Sequence, residues 1–420
     1  MQKRDRYLKR LTDAMWDGEI KTIVGLRRSG KSTLLFHLFK DYLLNNGTSK
    51  DQIIEIQLDQ RKDYKYRNPI VLCEKIESLV KDENKKFYLL IDEVQFTQKV
   101  TDKEAGNIEV TIYDMLNELK GYKNLDVYVT GSNSRMLSTD IATEFRGRST
   151  IISVYPLSFS EYYDWTGGDI RDALNNYMIF GGMPALTEKK NERQKIEYLE
   201  NLYEKVYLAD LLERNKLERP DIMNDVLDYI SSSISSLTNP NNIANSLSSN
   251  KREKIYNEMI SRYIKAAEDA FLIKTARRYD IKGGKYFNYP NKYYYTDIGL
   301  RNCRLNFRQI DSGHIMENII FNELVSLGYK VDVGMIEDRT NNQLEIDFVV
   351  NSGDKRTYIQ SAYQINDDVK NNSEIKAFKK TNDFFKKIMI RNDIPHIFYD
   401  NNGILNCSLL DFLTGKVELF

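Results

Sequence analysis

Cysteine and histidine are scarce, three of each among 420 residues. Cys73, Cys303 and Cys407 are scattered, as are the histidines, which leaves neither a disulfide framework nor the paired spacing of a zinc site. Net charge is absent as well. Lys plus Arg and Asp plus Glu both number 61. No overall field therefore steers the chain to nucleic acid, and such binding must come from a local patch. The N-terminus, MQKRDRYLKRLTDAMWDGEI, lacks the apolar core of a signal peptide, and no apolar run reaches the ~18 residues of a membrane span. A cytoplasmic protein without membrane contact is the expectation. What is present is an ordinary globular composition, 41% apolar and 29% charged. The chain is too long for one core, so roughly two to four domains are expected.

The strongest signal is EIKTIVGLRRSGKSTLLFHLFKDYLL. An apolar strand near Ile20–Val24 runs into Gly25-Leu-Arg-Arg-Ser-Gly30-Lys31-Ser32 and then an amphipathic helix. Strand, GxxxxGK[ST] and helix in that order form a P-loop. Its glycines let backbone N–H groups curl around a phosphate, and the helix N-terminus adds partial positive charge. Gly25, Arg28, Ser29, Gly30, Lys31, Ser32 and Thr33 are the candidate ATP-binding residues. Lys31 would reach the β- and γ-phosphates and Ser32 would hold Mg²⁺. A matching strand that ends in acid is KFYLLIDEVQ. Its continuous apolarity suits a parallel strand buried on both faces. Asp92 would hold Mg²⁺ with Ser32, and Glu93 would act as general base towards the attacking water.

A third buried strand, LDVYVTGSNS, follows a helix expected over 109–119. Inserted between the first two, it would set a polar side chain beside the γ-phosphate: Ser132 or Asn133, with Thr130 as a further candidate. Another strand follows Arg146 and Arg148. Arg148 is the candidate for stabilising γ-phosphate charge, in cis or from a neighbouring subunit of a homo-oligomer.

Together with FGGMPAL at 180–186, DLLERN at 210–215 and KYYYTDIGLRN at 292–302, these motifs resemble a family of prokaryotic AAA+-type ATPases. Its members are fused to a C-terminal domain of unknown function related to PD-(D/E)xK nucleases. The likeness spans nearly the whole chain. It implies an α/β architecture with a five-stranded P-loop sheet (1–158) and a helical lid (159–220).

Residues 221–305 read as three helices and two strands turning at Gly283-Gly284, a winged helix. Lys251, Arg252, Lys254, Arg262, Arg277, Arg278, Lys282, Lys285 and Lys292 would give its third helix and wing positive charge towards DNA. Acids interleave with them, so a rigid protein-contact module remains the alternative.

Residues 306–420 resemble the α-β-β-β-α-β core of restriction-endonuclease-like folds. Such nucleases hold Mg²⁺ on acids and place a lysine two residues beyond the second acid. By position, Glu317 is the helix acid and Asp347, on one strand face with Glu345, the central ligand. Gln360 stands where the next acid belongs and Ala362 where the lysine belongs. The domain thus reads as a nuclease fold that has lost its chemistry, with Glu317 and Asp347 kept for structure or weak metal binding. The whole reads as an Mg²⁺-dependent ATPase coupled to these modules and acting on DNA. The alternatives are a nucleotide switch engaging a protein partner and an active Mg²⁺-dependent nuclease.

Overall fold

The computed structural model describes residues 3–103, 106–132, 149–208, 211–212, 217–308, 310–337, 343–366 and 368–420. The chain forms two compact units, one of residues 1–155 with 269–271, the other of 156–268 with 272–420.

The first unit is built on β1 (Ile20–Val24), β2 (Ile53–Gln57), β3 (Phe87–Asp92), β6 (Leu125–Gly131) and β7 (Ser149–Ser153), in the order β2-β3-β6-β1-β7. Every pairing is parallel. The side-chain period of two divides the apolar runs between two cores. Leu89, Ile91, Val127 and Val129 face the helices Pro69–Leu79 and Ile112–Leu119, whereas Leu90, Tyr88, Tyr128 and Ile152 face Asp5–Asp13 and the helix after the P-loop. With both faces covered, β3 and β6 are buried from end to end, as their unbroken apolarity requires. β6 lies between β1 and β3, the expected insertion. The helix expected over 109–119 is shorter. Ile108–Val110 (β5) pairs with Val100–Asp102 (β4), and helix starts only at Ile112, where Thr111 and Asp114 close a capping box.

The second unit begins with helices Phe159–Thr166, Ile170–Phe180 and Glu192–Leu202. Helices Pro220–Ser232, Pro240–Lys251 and Asn257–Asp269 follow, the first two opened by proline at N1, where the missing N–H costs nothing. β8 (Ile273–Ala276) pairs antiparallel with β10 (Lys292–Tyr295), but the segment between is not a simple wing. β9 (Arg278–Asp280) leaves β8 and pairs in parallel with β11 (Lys330–Glu337). It thereby becomes the edge of a seven-stranded sheet ordered β15-β16-β14-β13-β12-β11-β9. Here β12 is Gln343–Ser352, β13 Lys355–Ala362, β14 Lys386–Arg391, β15 Phe398–Tyr399 and β16 Leu405–Ser408. The turn at Gly283-Gly284 does form, anchored by Asp280, whose side chain accepts the N–H groups of Lys282 and Gly283. Two cations assigned to a DNA-facing surface are not on one. Arg278 and Lys292 are both buried, as are Tyr293, Tyr294 and Tyr295.

The motifs at 180–186 and 292–302 interlock. Asp297 accepts the N–H of Gly182 at 2.7 Å and that of Leu300 at 3.2 Å. Asn302 donates to the carbonyls of Met178 and Ile179, each at 2.9 Å. A Cβ on Gly299 would lie 1.8 Å from the Phe180 carbonyl oxygen, so only glycine permits this backbone approach.

Candidate nucleotide site

Parallel pairing brings the carboxyl ends of β1, β3 and β6 to one edge, where ligands of open α/β sheets bind. Gly25 turns the chain out of β1 with φ 145°, and a Cβ there would meet the Val154 carbonyl oxygen at 2.1 Å. Arg28 is exposed and left-handed, while Ser29 is buried. Gly30 leads into a helix that begins Lys31–Thr33, passes through a π-type stretch Leu34–Phe39 and ends with Lys40–Asn45. Thr33 is half-buried in its first turn. The Lys31 ammonium is buried and donates to the carbonyls of Gly25 and Leu26, each at 3.0 Å. It therefore rests on the rim of the loop that it would serve.

The β3 acids arrive beside this loop. The Ser32 hydroxyl lies close enough to the Asp92 carboxylate to favour its charged form. Burial pushes the Asp92 carboxyl up, and the Thr130 and Ser32 hydroxyls pull it back. A hydroxyl next to a carboxylate is a hard oxygen donor set, and it fits Mg²⁺ with most of its water retained. Ile91 pairs with Val129, which sets Asp92 next to Thr130 on the adjoining strand. The Thr130 hydroxyl donates to Asp92 and accepts the N–H of Glu93 at 3.0 Å. Glu93 itself is left-handed, φ 55° and ψ 53°, a conformation of order 1 kcal/mol above the usual one for a residue with a Cβ. Gln95 donates to its carboxylate, and Ser132 lies within bonding reach at 3.3 Å.

An uncharacterised protein of Haemophilus influenzae is 31% identical over 398 residues, spanning 93% of each chain. A family model described as an AAA domain matches residues 17–163. The chain belongs to the same family as this Haemophilus influenzae protein, and it carries an AAA domain over residues 17–163. Nucleotide binding and ATPase activity in general go with that domain. Models for two domains of unknown function, DUF8612 and DUF4143, match 171–311 and 312–409. An uncharacterised protein of Methanocaldococcus jannaschii is 27% identical over 402 residues, 92% of this chain and 83% of that one. The Walker-type ATPase PABY2304 of Pyrococcus abyssi shares the fold, with TM-score 0.50 and 15% identity over 73% of this chain and 96% of that one.

Of the candidate residues in this AAA domain, Gly25, Ser29 to Thr33, Asp92, Glu93 and Ser132 take the positions described above. Asn133, Arg146 and Arg148 lie outside the described residues. Nothing in KFYLLIDEVQ singles out Gln95, and by sequence Thr130 ranks behind Ser132. The parallel register between β3 and β6 is the signal that favours Thr130.

A second cluster lies in the other unit. Glu317, on helix Ser312–Ser326, and Glu345 and Asp347, on β12, surround the Lys292 ammonium at 2.8, 2.7 and 3.3 Å. Tyr294 donates to Glu317 at 2.6 Å, and the Ser361 N–H donates to Asp347 at 2.9 Å. Burial works to lower the Lys292 ammonium, but Glu317, Tyr294, Asp347 and Glu345 hold it well above its ordinary value. Burial pushes the Glu317 carboxyl up to about 8 against the pull of Lys292. With the ammonium at their focus, these acids do not fit a divalent cation, which would need the same oxygens. On β13 Gln360 accepts the N–H of Asp347 at 3.3 Å, and the position expected to carry the nuclease lysine is Ala362, which is core. In the AAA unit Cys73, Glu77 and Glu118 also converge. There burial, with Glu118 and Glu77, pushes the Cys73 thiol up to about 12, so it keeps its proton and is a poor metal ligand.

Proposed function

We propose that the chain hydrolyses ATP with Mg²⁺ at the ends of β1, β3 and β6 and uses the nucleotide cycle to act on DNA. The observation that carries the reading is the convergence of Lys31 and Ser32 at the end of β1 with Asp92 and Glu93 at the end of β3, where the Thr130 hydroxyl donates to Asp92. N–H groups of the 25–32 loop hold the phosphates, and Lys31 leaves the Gly25 and Leu26 carbonyls for the β- and γ-phosphates. Ser32 and Asp92 would hold Mg²⁺, which would neutralise phosphate charge. Glu93, its N–H fixed by Thr130 and its carboxylate held by Gln95, takes the proton of the attacking water. Ser132 would lie beside the γ-phosphate; Asn133 and Arg148, outside the described residues, are the further candidates for sensing it and offsetting its charge.

In this reading an ATPase core (1–158) and lid (159–220) drive a winged helix (221–305) and a nuclease-like module (306–420). The latter's acids are neutralised by Lys292 instead of a metal. DNA contact is supported by the exposed Arg277, Lys282 and Lys285 around the 278–286 turn, with Tyr286 and Tyr289 exposed beside them. Cations interleaved with aromatics suit phosphates and bases. The test is ATP turnover with and without single- and double-stranded DNA at two salt concentrations. DNA should stimulate hydrolysis, and more strongly at low salt. Turnover indifferent to DNA would favour a nucleotide switch engaging a protein partner. That second reading is supported by the fully exposed Phe384 and by Ile397, Phe398 and Tyr399 exposed at the sheet edge.

A further inference from the structure

Arg4 precedes the Asp5–Asp13 helix, lies outside the matched AAA domain and is only 2% exposed. Its Nη1 donates to the Ser29 carbonyl at 3.1 Å and its Nη2 to the Tyr155 carbonyl at 2.7 Å. The guanidinium carbon sits 4.5 Å from the centre of the Tyr7 ring, and the Tyr7 hydroxyl accepts the N–H of Tyr155 at 3.2 Å. Tyr7 is itself core, packed among Leu34, Leu35 and Ile152. One buried cation therefore ties the phosphate loop to the segment leaving β7.

The consequence follows from peptide geometry. In a planar trans peptide the C=O and the next residue's N–H point in opposite directions. Arg4 draws the Ser29 carbonyl towards itself, so the N–H of Gly30 is turned the other way. The far side of that residue is fixed too, because the Gly30 carbonyl accepts the Leu34 N–H at 2.9 Å. An N–H held outward in a loop of this kind is what an anion cradle uses.

We propose that Arg4 is a positioning residue for the phosphate cradle: its fork on the Ser29 and Tyr155 carbonyls aims the Gly30 N–H at the nucleotide's phosphates and sets positive charge behind the loop. This rests on the ATP-binding reading of the same loop. Two parallel donors are needed, which a lysine ammonium cannot supply in the same plane.

The experiment titrates wild type, Arg4→Lys and Arg4→Ala with ADP and with inorganic pyrophosphate by calorimetry, with thermal melts in parallel, and measures steady-state ATP turnover. Expected is a loss of fivefold or more in affinity for both ligands in Arg4→Ala, with KM for ATP raised and kcat kept. Arg4→Lys, which retains the buried charge, should show the same loss and serves alone if the alanine variant does not fold. A loss under fivefold in the folded variants, even with a lowered melting temperature, would overturn the proposal and leave Arg4 a purely structural contact. If wild type itself takes up neither ligand, the ATP-binding reading falls instead, so the two failures are distinguishable.

Discussion

Lys292 reaches from β10 to the place among Glu317, Glu345 and Asp347 where a cation would sit, supplying one positive charge to the acids. Its partners are distant in sequence, so the lysine count around 251–292 could not separate Lys292 from the exposed Lys282 and Lys285. Lys292–Tyr295 is buried on both faces. Removing one member of a buried charge network leaves the others uncompensated. Lys292→Met should therefore lower unfolding stability by about 3–5 kcal/mol, read by urea denaturation. A change within about 0.5 kcal/mol, ordinary for surface substitutions, would contradict the account of this cluster. At the nucleotide site the residue-scale reading went further. GxxxxGK[ST] and an apolar strand ending in Asp-Glu are local patterns whose chemistry depends on spacing alone, so Lys31, Ser32, Asp92 and Glu93 were legible. Arg4, 25 residues from the carbonyl it holds, and Gln95, which acts through the left-handed turn at Glu93, were not.

Among elements, the parallel strands were legible because burial on both faces demands unbroken apolarity. The order α-β-β-β-α-β in the last third was legible for a similar reason, its apolar runs and turns being local. The escape of β9 to the far sheet was not. Two strands flanking a Gly-Gly turn look like one hairpin, and only the competition of β11 for β9 decides otherwise. The joint between 180–186 and 292–302 is likewise a tertiary fact, and it titrates. Burial pushes the Asp297 carboxyl up to about 6, with the N–H groups of Gly182, Leu300 and Gly299 pulling it back. The folded chain thus holds a proton that the unfolded chain releases at the ordinary Asp value. Stability from this group is fully present below that ordinary value and is lost as pH rises through about 6. Relative to Asp297→Asn, which cannot titrate, wild type should lose about 1 kcal/mol between pH 5 and pH 8. A difference of the opposite sign in denaturation midpoints would show that Asp297 is not the group described.

For the molecule as a whole, zero net charge leaves any DNA contact to a local surface, and of the expected patch Lys251, Arg252, Lys254, Arg262, Arg277, Lys282 and Lys285 stay exposed. Arg278 and Lys292 are withdrawn from it into buried contacts. Any DNA-stimulated turnover should therefore weaken as salt rises, with a slope set by the exposed cations alone. Among the described residues no helix is long and apolar enough to cross a membrane. Everything downstream depends on ATP chemistry at the β3 tip. The most direct test compares wild type with Glu93→Gln and Lys31→Ala, measuring ATP binding and turnover on each with Mg²⁺. Glu93→Gln should bind ATP as wild type does but hydrolyse it at least about a hundredfold slower, the lower range for a lost general base, and Lys31→Ala should not bind. Wild-type turnover in Glu93→Gln would contradict the account.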